Sequence, residues 1–194
     1  WKLSLKRALD VFGAACGLIF LSPVLMLFAL LIRLESRGPV FYCQERMGLD
    51  GKAFQMVKFR SMHTDAEKEG PGWTVANDPR RTRLGGLLRS RNIDELPQLI
   101  NVLLGEMSLV GPRPERPFFV KRLMERFPGY RGRLQVPPGL TGLAQIERAY
   151  DEDEEDVRRK LAYDLFYIDH RHFLVDLKIL VRTLGVVLSR KGSR

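Results

Sequence analysis

The sequence predicts an α+β fold that is mostly helical, with a few short strands and an N-terminal helix that enters a membrane. An apolar run without a single charge, Val11 to Ile32, lies near the N-terminus. Apolar residues recur at helical spacing through much of the remaining chain, whereas only two short segments resemble strands. The 194 residues suffice for one compact domain with an apolar core.

The apolar run predicts a membrane helix because a surface helix of a soluble domain would carry charges on one face. It is too long for the apolar region of a secretory signal, and no cleavage site follows it before Arg33. A buried core helix remains an alternative. As one straight helix the run would be roughly 33 Å long, which is enough to cross a bilayer.

Pro23 argues against a straight crossing. It lacks an N–H and its ring clashes with the carbonyl of Ile19, four residues earlier. The hydroxyl of Ser22 is placed to donate a hydrogen bond to that carbonyl inside lipid. A sharp bend at Ser22-Pro23 would leave two limbs of roughly 16 Å each, about half of the hydrocarbon thickness. We therefore expect a re-entrant helix, which enters and leaves the bilayer on the same face.

The charges around the run support the same topology. Basic residues flank it on both sides: Lys2, Lys6 and Arg7, then Arg33 and Arg37. The positive-inside rule is satisfied best when both flanks are cytosolic. We therefore divide the chain into 1–37, the re-entrant helix with its flanks, and 38–194, a cytosolic domain that forms one functional unit with it.

Two strands are predicted after the membrane segment, Val40–Gln44 and Phe54–Phe59, with a Gly-containing turn between them. In the second strand Lys58 and then Arg60 fall on the same side, so that two cations line one edge. The polar residues 63–79 that follow predict a loop.

Helical patterns then return. Leucines recur at helical spacing in the arginine-rich segment 80–91, and Glu95–Leu104 carries one apolar stripe. Asp94 stands before this second helix as a predicted N-cap, and Gly105 follows as its predicted terminator. Residues 115–127 predict a basic helix.

The last part of the chain begins with a stiff turn predicted over 137–142, which contains two prolines and two glycines. The acidic run 151–156 is interpreted as a solvated, flexible stretch rather than a metal site. One helix is predicted over 157–188, and its later part is amphipathic. Such a helix packs on the core or lies at a membrane interface.

The net charge of +9 predicts an anionic partner: nucleic acid, an anionic lipid or a phosphorylated substrate. Nucleic acid is not expected, because this class leaves the apolar run unexplained and no base-stacking aromatic pattern accompanies the arginines. A membrane adaptor without activity explains the apolar run but not paired carboxylates among arginines. Cys16 and Cys43 form no disulfide framework, which favours a reducing compartment.

We expect the chemistry at Asp94-Glu95. One interpretation of two acids at a helix start is a cap and a first-turn residue, both favoured by the helix dipole. Their setting favours another, since arginines precede them and Pro112-Arg113-Pro114 follows. Two carboxylates in a basic site suit Mg²⁺ bridging to substrate phosphates, and an ionised Asp is a competent nucleophile on phosphorus. Arginine binds phosphate oxygens bidentately, although Arg113 between two prolines is equally compatible with a structural turn.

Five runs of residues carry a family pattern: Lys58-Phe59-Arg60-Ser61-Met62, Asp94-Glu95-Leu96-Pro97-Gln98-Leu99, Asn101-Val102-Leu103, Met107-Ser108-Leu109-Val110-Gly111-Pro112-Arg113-Pro114 and Pro138-Gly139-Leu140-Thr141-Gly142. Together they resemble the bacterial sugar transferases, monotopic polyprenol-phosphate phosphoglycosyl transferases of the bacterial inner membrane. These enzymes begin the assembly of capsule, exopolysaccharide, O-antigen and glycoprotein glycans. The resemblance covers nearly the whole chain.

The resemblance implies transfer of a sugar 1-phosphate from a UDP-sugar to polyprenol (undecaprenyl) phosphate, with release of UMP. It implies that Asp94 attacks the β-phosphorus and carries the sugar phosphate covalently. Glu95 would be the partner acid, in Mg²⁺ binding with Asp94 or in activating the acceptor phosphate. The substrate-binding residues implied are Lys58, Arg60, Arg89, Pro112, Arg113 and Pro114. The family's membrane-helix break falls on Ser22-Pro23, within the lipid bilayer and with the catalytic domain in the cytosol.

One departure from the family pattern concerns a Gly-Arg pair, because this chain reads Ile146-Glu147-Arg148-Ala149 near that place. No role is therefore assigned to Arg148. The sequence leaves open which UDP-sugar is used, whether the protein forms a homo-oligomer, and whether the parent chain has further N-terminal domains.

Overall fold

The computed structural model describes residues 3–66, 78–147 and 154–189. Within these residues helices predominate and the strands are few and short, which confirms the mostly helical α+β class. Of the loop predicted over 63–79, the structure describes residues 63–66 and 78–79. Arg148 and the first half of the acidic run lie outside the described residues.

The N-terminal helix α1 (Leu3–Glu35) includes Pro23 within its bounds, and the bend expected at Ser22-Pro23 stays a prediction. The predicted hydrogen bond is present, since Ser22 Oγ donates to the Ile19 carbonyl at 2.8 Å. Within the described residues α1 is the one helix long and apolar enough to cross a membrane.

One face of α1 packs on the rest of the chain along most of its length; we call this face the inner stripe. Its members recur every three or four residues and are Asp10, Ala14, Leu18, Leu21, Leu25, Phe28, Ala29 and Ile32. The opposite face is apolar and exposed, and Phe20 at 80% exposure is its most open side chain. The helix therefore contacts the domain on one side and exposes apolar side chains on the other.

A β-hairpin follows, formed by β1 (Phe41–Met47) and β2 (Ala53–Phe59) in antiparallel register. Both predicted strands are confirmed, and the turn between them is a short 3₁₀ helix, Leu49–Gly51. Phe54 and Met56 are buried on the inner face of β2, against α1 and the helix that follows the acids.

Helix α2 (Arg83–Ser90) leads into a 3₁₀ turn, Ile93–Gln98, and then α3 (Leu99–Leu104). The prediction of Asp94 as an N-cap is wrong, because this residue lies inside the 3₁₀ turn. Pro97 cannot donate a helical hydrogen bond, so the α-helix begins only after it. Gly105, with φ of 90°, ends α3 as predicted.

Two short strands, β3 (Ser108–Val110) and β4 (Gly139–Thr141), pair in parallel. The segment predicted only as a turn therefore contains a strand. Ser108 N donates to the Pro138 carbonyl at 2.8 Å, and Gly139 N donates to the Pro112 carbonyl at 2.9 Å. This pairing fixes the start of the segment that carries Arg113.

The remaining helices are α4 (Pro117–Arg126), α5 (Leu143–Glu147), α6 (Glu154–His170) and α7 (Phe173–Ser189). The tail predicted as one helix is therefore two, interrupted after His170. The described part of the acidic run forms the first turn of α6, where carboxylates face the positive end of the helix dipole. Several apolar side chains of α7 are exposed, among them Leu174, Leu177, Val181 and Leu184.

Candidate active site

Glu95 lies between two cations contributed by different parts of the chain. Lys58 Nζ, from β2, donates to Oε1 at 2.8 Å. Arg113 donates through Nη2 to Oε1 at 2.5 Å and through Nη1 to Oε2 at 3.1 Å. Burial works to raise the pKa of Glu95, but Arg113 and Lys58 outweigh it and hold the pKa well below its usual range. Glu95 is therefore an ionised carboxylate whose two oxygens are both engaged.

Asp94, its neighbour in the same 3₁₀ turn, is in a different state. It is 7% exposed, and among the described residues its carboxylate forms no hydrogen bond or ion pair. Burial and the charge of Glu95 raise the pKa of Asp94, while Lys58, Arg89 and Arg113 oppose the rise. Two adjacent acids thus differ sharply, and only Asp94 has oxygens available to a substrate.

Arg89 reaches this region from the last turn of α2. Thr82 caps the start of that helix by accepting a hydrogen bond from Gly85 N at 2.9 Å. Gly85 permits a close approach, since a Cβ there would lie 1.9 Å from the Ser61 carbonyl oxygen. Burial lowers the pKa of Arg89, while the charge of Asp94 opposes this fall.

The segment carrying Arg113 rests on a buried ion pair that sequence reasoning missed. Arg133 Nη2 donates to the Arg113 carbonyl at 3.0 Å, and Nε donates to Asp164 Oδ2 at 2.7 Å. Arg133 also donates to the Tyr130 hydroxyl at 2.5 Å. Nothing local in the sequence marks this pair, because its members are 31 residues apart in a chain rich in arginine.

Arg60 is the one predicted substrate-binding cation that the structure places elsewhere. Its guanidinium is buried and donates to the Ser36 carbonyl at 2.9 Å and the Arg37 carbonyl at 2.8 Å. Because β2 ends at Phe59, strand alternation no longer sets the direction of the next side chain. Of the two cations expected on one edge, only Lys58 reaches the acids, and Arg60 instead holds the chain that leaves α1.

A small, shallow pocket lies beside the Pro112-Arg113-Pro114 segment. Its other walls include Met47, Gly48 and Pro138. Neither Asp94 nor Glu95 lines this pocket.

The residues at this site offer too few ligands to hold a metal ion by themselves. Within the described part of the chain, no three acidic, histidine or cysteine side chains are grouped so that they could hold a metal ion. Mg²⁺ nevertheless binds through one or two carboxylates, water and substrate phosphates. Asp94 offers such a ligand, whereas both oxygens of Glu95 are engaged by cations. The donor set fits Mg²⁺ held by Asp94 together with a bound diphosphate, and does not fit Glu95 as a ligand in this arrangement.

Comparison with known proteins identifies what the chain is similar to. A family model described as bacterial sugar transferase matches residues 1–190. An N-acetylgalactosaminephosphotransferase of Aeromonas hydrophila, which uses UDP-N-acetylgalactosamine and undecaprenyl phosphate, is 40% identical over 98% of this chain and 45% of its own length. The exopolysaccharide production protein PSS of Rhizobium leguminosarum is 44% identical, with 97% of each chain covered. The UDP-glucose:undecaprenyl-phosphate glucose-1-phosphate transferase of Caulobacter vibrioides is 46% identical over 97% of this chain and 71% of its own length. The chain thus spans less than half of the Aeromonas relative and nearly all of the Rhizobium one.

Proposed function

This chain belongs to the bacterial sugar transferase family, and from that premise we propose that it transfers a sugar 1-phosphate from a UDP-sugar to polyprenol (undecaprenyl) phosphate. The names of two relatives specify such a transfer, one with N-acetylgalactosamine and one with glucose. The observation that carries the proposal is the difference between the two acids. Glu95 is held by Lys58 and Arg113, while Asp94 is buried, lies in the field of three cations and has no hydrogen-bond partner among the described residues.

In the first half-reaction an oxygen of Asp94 attacks the β-phosphorus of the UDP-sugar. The bond from that phosphorus to the bridging oxygen breaks, UMP leaves with the oxygen, and a sugar-phosphoryl aspartate remains. Arg89, Lys58 and Arg113 offset the charge that builds on the phosphoryl oxygens. They also favour the ionised form of Asp94, which burial disfavours.

In the second half-reaction a phosphate oxygen of polyprenol phosphate attacks the same phosphorus. The phosphorus–Asp94 bond breaks, which regenerates the carboxylate and yields polyprenol diphosphate sugar. Two displacements at one phosphorus replace one difficult transfer by two easier ones.

Glu95 acts in this scheme by holding its two cations in place. Its oxygens are engaged by Lys58 and Arg113, so direct activation of the acceptor would first require one of these bonds to open. Pro112 and Pro114 limit the backbone freedom of Arg113, which lowers the entropic cost of presenting its side chain to the nucleotide. Mg²⁺, bound by Asp94 and the diphosphate, would supply a positive charge that stabilises departing UMP.

The inner stripe of α1 supports a re-entrant topology in the bacterial inner membrane. A helix that crosses a bilayer has about 20 residues within hydrocarbon, where no polar domain can touch it. Here one folded domain contacts α1 on both sides of Pro23, through Ala14 and through Ile32. These contacts support placing both ends of the helix on one face, and the basic residues on both flanks favour the cytosolic face.

Topology is tested by single-cysteine labelling after Cys16 and Cys43 are replaced by serine. Ser4→Cys and Arg37→Cys mark the two exposed flanks of α1. We expect both to react with an impermeant maleimide in inverted vesicles and neither in spheroplasts. Opposite labelling of the two flanks would establish a spanning helix.

The nucleophile is tested by incubating the membrane-reconstituted protein with a panel of UDP-sugars but no acceptor. We expect a burst of about one UMP per active enzyme and a sugar phosphate on the peptide that contains Asp94. Asp94→Asn should abolish both, because an amide is a very poor nucleophile. The control is Asp50→Asn, the same change at an exposed position with φ of 55°, where asparagine is well suited. Turnover without any adduct, or an active Asp94→Asn variant, would contradict the covalent scheme.

A further inference from the structure

Strand β2, which carries Lys58, has a partner strand on only one of its edges within residues 3–66, 78–147 and 154–189. On its other edge the side-chain amide of Asn101, from α3, takes the place of a strand. Its Oδ1 accepts a hydrogen bond from Val57 N at 2.9 Å, and its Nδ2 donates to the Gln55 carbonyl at 2.8 Å. Asn101 is 1% exposed, so these bonds are made in the protein interior.

The backbone fixes which way this amide points. The Val57 N–H can only donate a hydrogen bond and the Gln55 carbonyl can only accept one, so the NH₂ group must face the carbonyl. Nδ2 of Asn101 also donates to Glu106 Oε2 at 2.7 Å. The Oδ1 atom is therefore directed at Val57 N, and the amide has one orientation rather than two.

Asn101 joins two elements of the candidate active site, the strand that carries Lys58 and the helix that follows the two acids. Val57 immediately precedes Lys58 on β2, and α3 begins directly after the 3₁₀ turn that holds Asp94 and Glu95. The backbone on one side of the Lys58–Glu95 ion pair is thus tied, through a single side chain, to the helix on the other side.

We propose that Asn101 is a positioning residue for the transfer reaction, which acts by holding β2 so that Lys58 meets Glu95. The inference rests on the proposed function of this site. An apolar residue of similar size would fill the same space, but it would leave the Val57 N–H and the Gln55 carbonyl without these partners in the interior. The strand would then settle where Lys58 no longer meets Glu95.

The first test is Asn101→Ala in the full chain, measured as UMP release with UDP-sugar and acceptor. We expect a loss between about tenfold and 100-fold, as for a small misplacement of a catalytic group. Gln55→Ala is the matched control, because this exposed side chain can be removed while the backbone carbonyl that Asn101 contacts is kept. Thermal unfolding of each variant separates loss of folded protein from loss of activity.

A double-mutant cycle with Lys58→Met distinguishes positioning from general stability. If Asn101 acts through Lys58, Asn101→Ala should remove less than about a further twofold from the Lys58→Met enzyme. A residue that only stabilises the fold would lower both backgrounds by the same factor, and that outcome would overturn the proposal.

Rescue supplies the second criterion. Asn101→Asp places a carboxylate against Glu106, so we expect activity to fall. Adding Glu106→Gln turns the facing group into a donor, and activity should recover at least about fivefold over the single variant. Absence of recovery in a folded double variant contradicts the proposal. Failure of the proposed function would be seen separately, as a wild-type protein that releases no UMP or an active Asp94→Asn variant.

Discussion

Replacing Arg133 by methionine removes the positive partner of a carboxylate that has almost no contact with solvent. The ion pair joins Arg133 Nε to Asp164 Oδ2 at 2.7 Å, and the two side chains are only 5% and 2% exposed. Without Arg133, Asp164 must remain charged in the interior or take up a proton. Protonating an acid of ordinary pKa near neutral pH costs about 4 kcal/mol. This agrees with the cost of about 3–5 kcal/mol when one partner of a buried pair is removed.

The penalty should depend on pH in a defined direction. Burial raises the pKa of Asp164, and Arg133 opposes that rise, so the pKa should rise further in Arg133→Met. An acid whose pKa is higher in the folded than in the unfolded state destabilises the fold once pH exceeds the unfolded value. The destabilisation grows by about 1.4 kcal/mol per pH unit until the folded pKa is reached. The variant should therefore lose more stability near pH 7 than near pH 5.

The assay is thermal unfolding in detergent micelles at about pH 5 and about pH 7. A loss of about 4 kcal/mol corresponds to a melting temperature lower by roughly 8–16 °C for a chain of this length. Asp164→Leu added to Arg133→Met should recover much of the loss at neutral pH, because no buried charge is left. Arg131→Met, at an exposed position nearby, is the control. Equal destabilisation at both pH values, or a loss no larger than in the control, would refute the reasoning.

Three further outcomes are expected. Excess chelator should stop UMP release and added Mg²⁺ should restore it, since Asp94 and the diphosphate fit that ion; full turnover in chelator would remove the metal from the scheme. Lys58→Met should raise the pKa of Asp94, because Lys58 lowers it in the wild-type protein. The pH at which the initial rate of UMP release falls on acidification should therefore be higher in the variant. An unchanged pH profile would show that Lys58 does not influence Asp94. Gly85→Ala should lower the melting temperature strongly, because its Cβ would meet Ser61. Gly86→Ala, with open space around it, should raise the free energy of unfolding by up to about 1 kcal/mol.

Features that depend on near neighbours in the chain were predictable from the sequence. Ser22 and Ile19 are three residues apart, and the hydrogen bond expected between them is present. Gly105 ends α3 because only a residue that tolerates positive φ suits that position. The strand alternation that directed Lys58 inward likewise needs only the local period of two.

Features that depend on distant residues were not predictable. Arg60 follows the last residue of β2, and its direction is set by carbonyl groups more than 20 residues away. The Arg133–Asp164 pair and the β3–β4 pairing likewise join segments with no local signal. The sequence shows that Asp94 and Glu95 are adjacent. Their unequal surroundings are not visible in it, because they depend on tertiary contacts with Lys58 and Arg113.

The inner stripe of α1 bears on how this protein can be engineered and how it can diverge. Deleting the helix to obtain a water-soluble enzyme would strip Ala14 from one apolar core and Ile32 from another, leaving both open to solvent. Replacing α1 by an unrelated membrane helix would keep the contact with lipid but lose the packing between the inner stripe and the domain. We expect tolerated substitutions to be plentiful on the outer face, where any apolar side chain suits hydrocarbon, and scarce along the stripe, where shape also matters.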